Sequence, residues 1–116
     1  MALSNPQLRE DIAIFIKGKG SWISFHTTDP GTNGGNEASG GGYARKQTTW
    51  TDGAVDGIVT GAAVEISVPA GTWAWCGIWS AQTGGTWVEK FPVNSTTLSA
   101  AGTILVTPTL GPSPDG

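Results

Sequence analysis

Three tryptophans at alternate positions in one short segment constrain this chain more than any other feature. Between Thr72 and Ser80, Trp73, Trp75 and Trp79 share one parity with Gly77, while Ala74, Cys76 and Ile78 share the other. A strand alternates its side chains between two faces, so a strand here is apolar on both. The small face can pack tightly on a helix or a second sheet. The indole face is too large to leave in water on a monomer. The composition agrees with a compact β protein rich in turns. Glycine supplies 18 of 116 residues, about twice its average share. Asp, Glu, Lys and Arg together supply 13%, roughly half the usual fraction. A coiled coil or helical bundle needs far more Ala, Glu, Lys and Leu. With 38% hydrophobic residues and six Trp the chain can bury a core, unlike a disordered one.

The first element reads as a helix over about 5–17. Ser4 or Asn5 serves as N-cap, Pro6 lies in the first turn, and Ser4 with Gln7 has capping-box spacing. Leu8, Ile12, Phe15 and Ile16 follow an i, i+4, i+7, i+8 pattern that makes one apolar stripe. Gly18 and Gly20 end the helix. At roughly 18 Å it is too short to be stable alone. It either docks on the chain's own sheet or serves as an arm on a partner.

After Gly20 the period changes to two. Strands are expected at Trp22 to His26, Tyr43 to Thr51, Ala62 to Val68, Thr72 to Ser80, Thr86 to Phe91 and Gly102 to Leu110. A long Gly-rich loop covers Thr27 to Gly42, and Asp52-Gly53, Asp56-Gly57 and Thr83-Gly84-Gly85 are turn signals. The fold class is therefore mainly β: a β-sandwich or small barrel of six to eight short antiparallel strands with one N-terminal amphipathic helix. Residues 1–110 make a single domain, and 111–116 a flexible Pro/Gly tail.

The net charge of -3, with six scattered Lys and Arg, argues against nucleic acid and against an anionic membrane surface. The longest early apolar run, Ile12 to Ile16, is too short for a secretory signal or a membrane span, which fits synthesis in a cytoplasm. One cysteine, Cys76, excludes an internal disulfide and a Cys-based zinc site. The single histidine, His26, lies near Asp29 and Glu37, but their spacing matches no metal-ligand motif. A calcium loop starting at Asp29 fails because Gly40 stands where its bidentate Glu belongs. No phosphate cradle is present. No cofactor, metal or enzymatic activity is expected.

The Trp73, Trp75 and Trp79 face has three readings: a platform for stacking sugars, a subunit interface, or the interior of a small sandwich. Trp22, Trp50 and Trp87 fit any of them.

The stretch from His26 to Arg45 is the most specific in the chain. It reads His-Thr-Thr-Asp-Pro-Gly, then a Gly pair, Asn-Glu, a Gly-rich step and Tyr-Ala-Arg. Together with Val-Pro-Ala-Gly-Thr at Val68 to Thr72, Trp79-Ser80 and Gly84-Gly85-Thr86, it resembles a family of small tailed-bacteriophage virion proteins common in phages of actinobacteria. The likeness spans roughly Leu3 to Leu110. It implies a structural virion protein, either a capsid decoration protein or a minor tail component, with no catalytic residues. In physical terms His26, Asp29, Pro30, Gly31, Asn36, Glu37, Tyr43 and Arg45 read as a loop-locking motif, the alternative being direct contact with a partner. Asp29-Pro30-Gly31 turns the chain, Asn36 and Glu37 tie the returning strand, and Arg45 pairs with Glu37 or Asp29.

The function expected from this reading is capsid decoration on the virion exterior, with the phage major capsid protein as partner and a homo-oligomer, a trimer above all. Leu8, Ile12, Phe15, Trp73, Trp75 and Trp79 are the candidate interface residues. The alternatives are a minor tail or tail-tip protein in host recognition, and a carbohydrate-binding module using the Trp face.

Overall fold

The computed structural model describes residues 4–52, 55 and 57–111. The turn positions Gly53 and Asp56, the tail beyond Gly111 and the first three residues of the arm lie outside the described residues. Among those described are one helix, α1 (Pro6–Lys17), and nine strands: β1 (Trp22–His26), β2 (Lys46–Gln47), β3 (Trp50–Asp52), β4 (Val59–Gly61), β5 (Val64–Val68), β6 (Gly71–Trp79), β7 (Trp87–Leu98), β8 (Gly102–Val106) and β9 (Thr109–Leu110). The class is mainly β, as expected, with more strands, most of them short, while β7 runs on past its expected end at Phe91 to Leu98. Pro108 has no N–H to donate and divides the expected last strand into β8 and β9. The expected Tyr43 to Thr51 strand begins only at Lys46 and is divided at Thr48, whose N–H donates to the Ser21 carbonyl at 2.8 Å and whose hydroxyl donates to the Ala62 carbonyl at 2.6 Å. The three-residue β4 has too little alternation to be read in advance.

Asn5 caps α1: its Oδ1 accepts from the backbone N–H of Gln7 at 2.9 Å and of Leu8 at 3.4 Å. The helix turns most of its apolar stripe away from the core; of the stripe only Ile16 packs against it, beside Ile14. Ala13 and Glu10 are buried, while Leu8 is 45% and Phe15 65% exposed. Ile12 is half-buried. The helix docks on β4 and β9 through small Ala13 and through Glu10, whose Oε1 accepts from the Gly57 N–H at 3.0 Å. A small residue allows close approach, and the carboxylate satisfies a backbone donor that has no ladder partner. These two contacts outweigh the stripe. Lys19 holds its ammonium 4.7 Å over the exposed Phe15 ring.

Three antiparallel sheets enclose one core. The largest has the order β2-β1-β6-β7, the second β3-β4-β9, and the third is the pair β5-β8. In the largest sheet Ile23 pairs with Ile78 and Phe25 with Cys76, all four fully buried. Ile66, Val68 and Val106 meet them from β5 and β8, and Val59 and Leu110 from β4 and β9. The opposite face of the large sheet carries the pairs Trp22–Trp79, Ser24–Gly77 and His26–Trp75.

That opposite face does not hold the expected row of three tryptophans. As β6 advances by two residues from Trp73 to Trp75, the partner on β7 moves by four, from Thr96 to Pro92. The irregularity twists β6 between the two indoles. Trp73 is 2% exposed, joins the core and meets the Phe25 ring edge-on at 6.3 Å. Its Nε1 donates to the Pro69 carbonyl at 3.1 Å. Only Trp75 and Trp79 remain on the opposite face, so the three do not form one interface.

Candidate functional site

The opposite face of the large sheet is covered by the chain itself. The segment after β1 turns at Asp29, whose Oδ1 accepts from the Gly31 N–H at 2.8 Å. Pro30 is fully buried, and its carbonyl accepts from the Gly35 N–H at 2.9 Å. Gly31 and Asn36 adopt positive φ, 68° and 62°. The side-chain amide of Asn36 reaches back to the Asp29 carbonyl at 3.4 Å. The returning segment then pairs with the end of β1, Glu37 opposite His26.

This fold-back lays backbone directly on indole. A Cβ at Gly34 would stand 2.5 Å from Trp79 Cζ2 and 2.6 Å from Trp87 Cε3, and the residue's φ is 76°. Only glycine satisfies both demands. Trp87 in turn closes over Gly77, where an added methyl group would collide with its ring. The rings of Trp79 and Trp87 meet edge-on at 5.1 Å.

Arg45 joins the parts. Its Nε and Nη2 donate to the two oxygens of Glu37 at 2.8 and 2.9 Å. Its Nη1 donates to the carbonyls of Ala81 and Gly84 at 3.0 and 2.8 Å, in the turn between β6 and β7. The flat guanidinium lies 3.8 Å over the Trp79 ring. Such a planar fork can bond in its plane while stacking through its face. Tyr43 completes the cluster: its hydroxyl donates to Glu37 Oε2 at 2.7 Å and accepts from the Phe25 N–H at 3.3 Å. Burial pushes the Glu37 carboxyl up, but the bonds from Arg45 and Tyr43 outweigh it and hold the group below its usual range. Burial and the neighbouring carboxylate push the Tyr43 hydroxyl well up.

His26 sits beneath. Trp79 Nε1 donates to Ser24 Oγ at 3.0 Å, Ser24 Oγ lies 2.7 Å from His26 Nε2, and His26 Nδ1 lies 2.7 Å from the Gly35 carbonyl. An indole N–H only donates and a carbonyl only accepts, so the chain runs one way. The Ser24 hydroxyl donates to Nε2, and the proton of the neutral ring is on Nδ1. Burial lowers the His26 pKa below its ordinary 6.5, against the raising effects of Gly35 and Glu37. Ser24 and His26 are both fully buried. Their pairing therefore cannot present a nucleophile to a substrate; it fixes the loop to the sheet.

The expected motif residues thus fall into two groups. Glu37, Tyr43, Arg45 and His26 come together around Trp79. Asp29 pairs instead with Lys90, Nζ to Oδ1 at 2.7 Å, and Lys90 also lies 5.1 Å over the Trp75 ring. Leu8, Ile12 and Phe15 are elsewhere, on the outer side of α1. Ser24 and Lys90 were not singled out from the sequence, while Gly34 was read only as part of the motif's Gly pair and Trp87 was left open among three readings. Only the shared parity of Ser24 and His26 on one strand offered a signal. Cys76 is buried in the core, and burial pushes its thiol well up. Of the proposed Trp face, Trp79 carries the Arg45 guanidinium and Trp75 has the Lys90 ammonium 5.1 Å from its ring centre. Among the described residues, no helix is long and apolar enough to cross a membrane.

Comparison with known proteins places this locked loop in a family. No curated protein matches the chain. The family model described as "Podophage GP4 fiber I protein gp80" matches residues 8–110, which contain the whole locked loop and every strand described above. The chain belongs to this gp80 fiber protein family of phage virion proteins.

Proposed function

We propose that this chain is a non-enzymatic structural component of the phage tail, of the fibre type, and not a decoration of the capsid exterior. The observation that carries the reading is the family match to a fiber protein over residues 8–110. It favours the tail alternative over the capsid-decoration expectation from the sequence. The partners are then other tail subunits in place of the major capsid protein.

The geometry suits such a role. The polar groups of His26, Glu37, Tyr43 and Arg45 bond internally, with His26 fully buried and Arg45 7% exposed. A chain built in this way presents a rigid surface without spending a binding partner on ordering its loops.

Quantitative mass spectrometry of purified particles, separated into heads and tails, tests the proposal. The chain is expected in the tail fraction at low copy number. Hundreds of copies per particle in tail-free heads would overturn it.

A further inference from the structure

The outer side of α1 carries a row of residues four apart, Gln7, Asp11, Phe15 and Lys19, with Leu8 beside it. Positions four apart lie one above another on a helix, so the row makes a single ridge. All five residues are exposed, Phe15 by 65% and Leu8 by 45%. The helix thus docks on β4 and β9 by one side and shows a second, partly apolar side to water. Lys19 stands just past the helix end, where its N–H donates to the Ile16 carbonyl at 2.9 Å and continues the turn. Its ammonium lies 4.7 Å over the Phe15 ring. Asp11, one turn before Phe15, accepts at Oδ1 from Gln7 Nε2 at 2.8 Å. We propose that this ridge is a contact between two copies of the chain. Two α1 helices pack antiparallel across a two-fold axis at Phe15, with Asp11 of each copy set against Lys19 of the other.

The order of charges selects the occupant. An acid and a base stand at equal spacing on either side of one aromatic residue. A half-turn about Phe15 reverses that order, so a second copy meets each charge with its opposite at both ends of the contact. A parallel pair would set Asp11 on Asp11 and Lys19 on Lys19, and is repelled at both ends. A different partner would need an apolar centre flanked by a base and an acid in the reverse order, which this chain itself provides. The ridge carries one charge of each sign, so it has no net attraction to an anionic membrane surface.

The centre of the contact is apolar. Phe15 and the half-buried Ile12, three residues apart, are neighbours on the helix surface, and Leu8 extends the patch by one further turn. Removing these side chains from water drives the association, and the two reciprocal ion pairs fix its direction. One face of a short helix falls well below the roughly 20–30 residues that a stable interface uses on each side. The association is accordingly weak in free solution and strengthened where an assembly holds copies close together.

Sedimentation equilibrium on the full chain, from about 1 to about 500 μM, tests this. The average mass should rise with concentration towards that of two chains. Asp11→Lys and Lys19→Asp should each weaken self-association at least about tenfold, because like charges then meet at both ends. Mixing the two variants should restore it, since opposite charges meet again at both ends. General attraction does not explain such a rescue, because each variant keeps a net negative charge. Phe15→Ser should abolish association, and all three variants should keep the parent circular dichroism spectrum because the replaced residues are exposed. A mass of one chain throughout would overturn the proposal. So would a limiting mass of three chains, parent-like association of Phe15→Ser, or a mixture that associates no better than its components. These measurements use the isolated chain, so they stand or fall separately from the tail location.

Discussion

The guanidinium of Arg45 lies 3.8 Å above the ring of Trp79, the one indole of the opposite face that also bonds to the buried Ser24–His26 chain. Through this stack the loop after β1, the turn between β6 and β7, and the strand that carries Trp79 behave as one unit. Arg45→Ala leaves Glu37 without its charge partner and two carbonyls without a donor. We expect a loss of about 3 kcal/mol in urea unfolding. Arg45→Lys should recover less than half of it, because an ammonium lacks the fork. A loss under about 0.5 kcal/mol for Arg45→Ala would contradict the central role given to this residue.

Gly34 and Gly40 separate two costs of replacing glycine. Both have positive φ, 76° and 85°, but a Cβ at Gly40 meets nothing within 4 Å whereas one at Gly34 strikes two indoles. Gly40→Ala is expected to cost about 1 kcal/mol from backbone strain alone. Gly34→Ala adds overpacking, for about 3 kcal/mol in total, and should shift the tryptophan emission. Equal effects from the two substitutions would show that the loop does not rest on Trp79 and Trp87.

Stability should fall in two stages on acidification. The His26 pKa is lowered in the folded chain, so the unfolded chain binds more protons once pH drops below the ordinary value of 6.5. The stabilisation is complete above that value and is lost as pH falls through the folded pKa. Glu37 is also lowered, so its contribution is lost below the ordinary 4.5 in the same sense. Melting temperatures measured from pH 8 to pH 3 should show both stages. His26→Gln should flatten the first and leave the second. An unchanged slope between pH 7 and pH 5 in that variant would rule out His26 as its source.

The reversed seating of α1 can be checked by two substitutions. Leu8→Ser removes an exposed side chain and should change stability by less than about 0.5 kcal/mol. Ala13→Leu forces bulk into the contact with β4 and β9 and should cost about 2 kcal/mol. Thermal melts in which Leu8→Ser is the more damaging would restore the apolar stripe to the core.

Much of the fold was legible because its signals are local. Asn5 before Pro6 marks a helix start, alternation marks β1, β5 and β6, and glycine clusters mark the turns. The locking residues were legible as a group, because polar side chains in a loop with little apolar filling have few other uses. The pairing of Arg45 was left between Glu37 and Asp29. Lys90, distant in sequence, takes Asp29 and leaves Glu37 to Arg45.

By itself, then, the sequence determined the strand periods, the turns, the helix limits and the exclusion of a helical or disordered architecture, since each depends on residues within a few positions of one another. Tertiary structure decided three things that depend on distant partners. Residues on β7 set the irregular pairing that sends Trp73 inward and leaves Trp75 and Trp79 outside. The Gly57 N–H rotates α1 onto Glu10 and Ala13, which turns Leu8 and Phe15 outward. The pairing of β7 with β6 and of β8 with β5 leaves a groove between two strands that follow each other in the chain. Parity along a strand or stripe says which residues share a face, but only the neighbouring element decides what that face meets.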